Sequence, residues 1–316
     1  MIPDLWPKWP FRALFVASAL IVVGCSSPDA PSTSTDFDAL LAPVLATEPE
    51  AEVAIAWRNL RTSQTFLSSG NEVMHAASTM KLAVMIEAFR RVDAGHLAMG
   101  QGVIVTNTFK SIIDGSAYQL EKVDDSETSL YDAFGETRTV LELVHLMVTK
   151  SSNLATNILM EWCGPDAIQK TIESLGVTRM KVLRGVQDLK AFDAGRNNVT
   201  TARDLMVLLE AIAKDQAASK SSCEQMRKIL LDQAFNELIP AGLPRGIPVA
   251  HKTGSITAVQ HDAAIVLPKD RDPYVLVVLT RGLKDEQRSA RLIAEISRVI
   301  WSLQQQNSNA TNPRIP

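Results

Sequence analysis

Residues 249–282 read VAHKTGSITAVQHDAAIVLPKDRDPYVLVVLTRG. VAHKTGS, DAAIVLP and YVLVVLTRG are apolar, β-branched-rich runs, the last two separated by a polar KDRD turn, and they predict three antiparallel strands. Towards the N-terminus, EVAIAWRN (52–59) and TFLSS (65–69) predict the two strands of a hairpin. Between these groups the signals are helical. A helix starts near Ser78, runs through KLAVMIEAFRRV (81–92) and ends at Gly95. Thr139 and Glu142 form a capping box before LVHLMV. Pro165 opens a helix that Gly176 closes, and Thr201 with Asp204 caps LMVLLEAIA. At the two ends, Asp36 can cap a short helix carrying Phe37, Leu40, Leu41 and Val44, and residues 286–304 form a long amphipathic helix.

Strands at both ends with helices between them predict an α+β fold. The N- and C-terminal strands join in one antiparallel sheet flanked by helices, and the middle forms an all-helical lobe. A cleft between sheet and lobe is the natural place for a site.

The chain is long enough for such a core: 316 residues, 46% of them hydrophobic. A net charge of −3 with no basic block gives no reason to expect a nucleic-acid partner. A soluble monomer is expected. Lys8 and Arg12 precede the apolar run Ala13–Val23, which is too short for an ordinary membrane span. It ends at Gly24-Cys25, which looks like a bacterial lipoprotein signal. The expected organisation is therefore a signal over 1–25 with lipid on Cys25, a polar tether over 26–35, a catalytic domain over 36–304 and a polar tail over 305–316. That implies export to the periplasmic side of a bacterial membrane, and the absence of Asp after Cys25 points away from inner-membrane retention. Cys163 and Cys223 could pair in an oxidising compartment, but sequence does not give the geometry. The His residues make no metal-ligand spacing, so no metal or other cofactor is expected.

Three short motifs carry chemistry. In Ser78-Thr79-Met80-Lys81 a helix start puts the serine and the lysine on one face, so Lys81 can take the Ser78 proton if burial or a nearby cation lowers its pKa. In Ser151-Ser152-Asn153, at a helix-to-helix turn, Ser151 can pass a proton to a leaving nitrogen and Asn153 can hold a substrate amide. In Lys252-Thr253-Gly254-Ser255, Lys252 can attract a carboxylate while Thr253 and Ser255 bind it. Gly254 admits a substrate backbone, and the Ser78 and Ser255 N–H groups can form an oxyanion hole.

Each motif is common alone. In this order, on helix start, lobe turn and strand, they resemble S-x-x-K, S-x-N and K-T-G of the serine β-lactamase and penicillin-binding protein superfamily. The likeness is strongest to class A β-lactamases and runs from about 37 to 303. Asn157, the Cys-Gly-Pro-Asp helix opening and Thr200-Thr201-Ala202 extend it. The resemblance implies an acyl-enzyme at Ser78 and a substrate that is a β-lactam or a peptidoglycan-like peptide.

The pattern breaks in one place that matters. Class A enzymes carry a glutamate, with an asparagine four residues on, in a loop that activates the deacylating water. Taking Arg184 as that loop's arginine puts Val186 at the glutamate and Lys190 at the asparagine. Asp188 is the nearby carboxylate and the possible substitute base; the alternative is that it staples the loop to Arg184 or Lys190. Two lesser departures are Ser152 in place of the usual S-D-N aspartate and a long acidic segment between Gly100 and Arg138. In that segment Tyr118 or Tyr131 could stack on substrate. His261-Asp262 is tempting as a His–Asp pair but reads as orienting the strand or lining the cleft, since the Ser–Lys pair already explains activation. A D-Ala-D-Ala peptidase-like enzyme and an acylated sensor remain as alternatives, because the deacylating glutamate is not found.

Overall fold

The computed structural model describes residues 34–311. The expected signal segment, Cys25 and nearly all of the 26–35 tether lie outside these residues. Five strands form one antiparallel sheet: β1 (Glu52–Asn59), β2 (Thr65–Ser68), β3 (Val249–Ile256), β4 (Val259–Val266) and β5 (Tyr274–Arg281), in the order β2-β1-β5-β4-β3. N- and C-terminal strands meet at the β1–β5 ladder, as the sequence predicts. β4 begins three residues before DAAIVLP, so Gln260 and His261 stand opposite Ser255 and Gly254.

Alternation along the strands sends side chains to two separate cores. Ile55, Trp57, Leu276 and Val278 pack against Phe37 and Leu41 of α1 (Ser34–Leu45) and Leu292, Ile293 and Ile296 of α9 (Glu286–Thr311). Ala54, Ala56, Val275, Val277 and Leu279 face the helical lobe. Because both faces are covered, β5 is a nearly unbroken apolar run, not an alternating one. Truncating Leu276 or Ile293 to Ala, both fully buried, costs about 2–5 kcal/mol.

The lobe is built on α2 (Lys81–Asp93), whose residues from Lys81 to Phe89 are all buried. A 3₁₀ turn, Ala77–Met80, feeds it. Around it stand α3 (Val140–Thr149), α4 (Asn153–Cys163), α5 (Pro165–Ser174) and α8 (Lys220–Leu231), while α7 (Ala202–Ala213) lies between lobe and sheet. The Thr139–Glu142 capping box is present, and Thr201 caps α7 through the Asp204 N–H. Two boundaries differ from the sequence reading. α1 begins at Ser34, so Asp36 is its third residue and not its cap. α9 continues to Thr311, past the boundary expected at 304, because the polar residues after Gln304 carry no proline or glycine to stop a helix before Pro313. Cys163 and Cys223 are separate buried thiols.

Candidate active site

Ser78 sits on the 3₁₀ turn immediately after Ala77, which is held at φ +44°. That left-handed backbone costs energy for a residue with a Cβ, and such positions gather at functional sites. Across from it, β3 is an edge strand whose Gly254 comes very close: a Cβ there would meet the Ser78 N at 3.0 Å and the Thr79 N at 3.1 Å. Only glycine lets the strand and the turn approach this far. Gly254 thereby sets the spacing between Ser78 and Ser255.

Lys81, one turn on, is fully buried. Its Nζ donates to the Ser151 carbonyl at 2.6 Å and to Asn153 Oδ1 at 2.9 Å, and lies 3.2 Å from Ser151 Oγ. Burial holds its pKa well below the usual lysine value, the Lys252 charge adds to this, and Asp125 opposes it. Ser151 is also left-handed, φ +57°, and this turns both its carbonyl and its hydroxyl towards Lys81. Lys252 reaches the same hydroxyl from the strand side, with Nζ 3.0 Å from Ser151 Oγ and 2.9 Å from the Thr253 carbonyl. It too is fully buried, and burial pulls its pKa down to about 7 against the raising effect of Asp262. One serine hydroxyl thus bridges two lysines.

Ser78 borders two cavities. One, of about 500 Å³, is lined by Ser151, Asn153, Thr253, Gly254 and Ser255, with Phe235, Glu237, Gln260 and Glu286 further out. The other, of about 630 Å³, runs from Ser78 and Asn153 to Arg184, Val186 and Gln187. Asp124 lines both. Lys252, expected to attract a substrate carboxylate, is not among the residues lining either cavity; its amine is held by Ser151 Oγ and the Thr253 carbonyl. Asn153 borders the cavity but is already engaged, with Oδ1 on Lys81 and Nδ2 donating to the Asp124 carbonyl at 3.2 Å.

The loop after Arg184 forms the far wall. Asn157 clasps Val186, accepting from its N–H at 2.6 Å and donating to its carbonyl at 3.0 Å. Val186 therefore faces the cavity of Ser78, where counting from Arg184 places it. Asp188 does not line either cavity. It is 1% exposed and accepts from Ser111 Oγ, the Ile112 N–H and the Ala191 N–H, capping the short helix α6 (Leu189–Asp193). Lys190 donates to Asp114 and Ser116. Both residues tie the loop to the Phe109–Tyr118 hairpin, and Asp188 pairs with neither Arg184 nor Lys190 by hydrogen bond.

The tyrosines are framework as well. The Tyr118 hydroxyl accepts from Asn157 Nδ2 at 3.2 Å, and the Tyr131 hydroxyl donates to Asp125 Oδ2 at 3.2 Å. His261 and Asp262 do not form a pair. Neighbours on a strand point to opposite faces. His261 Nε2 goes to the His75 carbonyl, and Asp262 pairs with His251.

Residues 36–304 match the Beta-lactamase enzyme family. The chain belongs to that family. It is 24% identical over 312 residues to the extended-spectrum β-lactamase PER-1 of Pseudomonas aeruginosa, covering 96% of this chain and 98% of that protein. It is 30% identical to a β-lactamase of Streptomyces albus G over 76% of each chain. Among solved structures, a β-lactamase from Sphaerobacter thermophilus superposes with a TM-score of 0.72 at 27% identity, over 86% of this chain and 98% of that one. PBP-A superposes with a TM-score of 0.74 at 24% identity, over 86% and 97%.

Within this β-lactamase-family fold, Asp125 is the functional neighbour that motif reading misses. Buried, it accepts from the Asn153 N–H at 2.9 Å and the Leu154 N–H at 2.9 Å at the N-terminus of α4, and from the Glu127 N–H of its own loop at 3.1 Å. A carboxylate there satisfies free helix N–H groups and the helix dipole. It holds in place the turn that presents Ser151 and Asn153 to Lys81. Ser152, at the aspartate position of S-D-N, caps α4 itself by accepting from the Ala155 N–H at 3.1 Å, and Asp125 adds a carboxylate from another loop. The one hint in the sequence is the acidic run around 124–125.

Proposed function

We propose that this β-lactamase-family chain is a serine hydrolase that opens β-lactam rings through an acyl-enzyme on Ser78. The observation that carries the reading is the buried Lys81 amine, desolvated beside a second lysine and one helical turn from Ser78. As a neutral amine it takes the Ser78 proton while Oγ bonds to the lactam carbonyl carbon. The developing oxyanion is held by the Ser78 and Ser255 N–H groups, whose strand and turn Gly254 brings together. The C–N bond then breaks. Ser151 gives its proton to the leaving nitrogen and regains one from the lysines it bridges.

Release of the acyl group needs a water and a base. Val186 brings no carboxylate to the cavity, and Asp188 is sealed behind Ser111 and Ile112. The base available is Lys81 again, returned to its amine form by the proton relay. Deacylation is then the slow step. Asn153 and Asp125 keep Lys81 in position; the substrate's outer groups lie along Thr253, Ser255 and Gln260.

Intact-protein mass spectrometry after mixing the domain, starting at Asp36, with benzylpenicillin and a cephalosporin tests this. A drug-sized adduct should appear, be absent in Ser78→Ala, and clear slowly as hydrolysed drug accumulates. No adduct in folded protein overturns the reading. An adduct that never clears reassigns the chain as a penicillin-binding enzyme or sensor, with peptides as the next substrates.

We also propose that the domain acts as a monomer tethered to a membrane surface by lipid on Cys25, outside the cytoplasm. The support is the basic, apolar, Gly-Cys order of the first 25 residues followed by a small polar tether. Metabolic labelling with a fatty acid tests it: the label should enter the wild type and be lost in Cys25→Ala.

A further inference from the structure

The cavity that Ser151 borders carries charge of one sign on its outer side. Asp124, Glu237 and Glu286 line it, and among the described residues no lysine, arginine or histidine does. All three carboxylates are exposed, and none is ion-paired among the described residues. The donors that could bind an anion here are already engaged. Ser255 Oγ donates to Glu286 Oε1 at 3.4 Å, Asn153 Nδ2 to the Asp124 carbonyl, and Ser126 Oγ to the Lys150 carbonyl at 2.7 Å. The first turn of α9 lines the cavity through Glu286 and Gln287, but Asp285 caps it, accepting from the Gln287 N–H at 2.9 Å and the Arg288 N–H at 3.2 Å. The positive end of that helix thus already has its anion. Cations close by in sequence are paired elsewhere, Arg288 with Glu48 and Glu50, and Lys122 with Asp132.

Ser151 also fixes which part of a substrate lies here. It lines this cavity and not the one that runs to Val186. Because Ser151 protonates the leaving nitrogen, the ring that holds that nitrogen, with whatever extends from it, lies on the carboxylate side. On the serine-hydrolase reading, on which this inference rests, we propose that Glu237, Glu286 and Asp124 select β-lactams that carry a cation on the leaving-nitrogen side. Zwitterionic cephalosporins are then preferred over monoanionic ones. The three carboxylates lie on one cavity, so a cation in it feels their charges together, within a Debye length of about 8–10 Å. Each contributes little because it is exposed, and the sum is what discriminates.

Cephalothin and cephaloridine test this, because they share a thienylacetyl side chain and differ on the ring that holds the leaving nitrogen. There cephalothin carries a neutral acetoxymethyl group and cephaloridine a pyridiniummethyl group. Second-order acylation constants for both are measured on the wild type, Glu237→Gln, Glu286→Gln and the double variant. Glutamine keeps an acceptor for Ser255 and removes the charge. The cephaloridine-to-cephalothin ratio should fall about threefold in each single variant and about tenfold in the double. The drugs' own difference in reactivity cancels, since the same pair is used on every variant. In the wild type the ratio should fall towards that of the double variant in about 0.5 M sodium chloride. Glu295→Gln, on the same helix but outside the cavity, should leave the ratio unchanged. A ratio unaltered in the folded double variant, or unmoved by salt in the wild type, overturns the proposal, as does an equal fall in Glu295→Gln. If neither drug acylates the wild type, the serine-hydrolase reading fails, and equilibrium binding to Ser78→Ala decides the proposal. Cephaloridine should bind that protein more tightly than cephalothin, by a margin lost when both glutamates are replaced; equal or undetectable binding overturns it.

Discussion

The floor and the far wall of the cavity are built differently. On the floor, Ser78, Lys81, Ser151 and Lys252 sit on or beside regular elements, and buried polar atoms hold one another in place. The wall, residues 184–198, keeps its scaffold: the Asn157 clasp, the Arg184 bond to Asn197 Oδ1 at 3.0 Å, and the Asn198 contacts to the Leu183 and Arg184 N–H groups. It presents Val186 where the class A pattern has an acid. A site can keep the bond-making half of a reaction intact while the half that releases product is left to a less suited group.

Changes that break the contrast should have effects in a definite order. Ser78→Ala on the floor removes acylation altogether, read as no drug adduct by mass spectrometry. Val186→Glu on the wall aims a carboxylate at the cavity and should speed adduct clearance by about 10²-fold, with acylation nearly unchanged; unaltered clearance would mean the loop does not limit release. Asp125→Ala leaves the Asn153, Leu154 and Glu127 N–H groups without their carboxylate, costing about 2–3 kcal/mol by denaturant unfolding and slowing acylation about tenfold as Asn153 shifts. Asp188→Asn should cost about 1–2 kcal/mol while clearance changes less than about twofold. A loss of clearance with intact stability would restore Asp188 as the base.

The smallest effect per step is in stability against pH. The Lys252 pKa is depressed on folding to about 7, so between there and the unfolded value of 10.5 the unfolded chain binds more protons. Stability from this group is lacking below about pH 7 and is gained as pH rises through that window, by about 1 kcal/mol per pH unit. Lys252→Met should flatten the difference in thermal midpoint between pH 7 and pH 9.

The strands, the caps and the three motifs were legible because each is a local pattern with a period or a spacing. Val186 was placed by counting from Arg184. What was not legible depends on contacts between distant segments. Asp188 looks like an open carboxylate until Ser111, 77 positions away, closes over it. Asp125 belongs to no motif and acts 28 positions from Asn153. His261 and Asp262 invite pairing because they are adjacent, yet strand geometry separates them and gives Asp262 to His251.

The β1–β5 ladder joins Glu52–Asn59 to Tyr274–Arg281, so the sheet's middle seam forms only when segments far apart in the chain have both been made. Lys252 arrives on the strands of the same late segment. Until then the early hairpin and the lobe lack the partner that covers them, and contacts of such long sequence separation form slowly. A fragment that stops before residue 274 lacks the strand that joins β1 to β4, and with it the seam through which β3 and Lys252 are tied to the rest of the sheet.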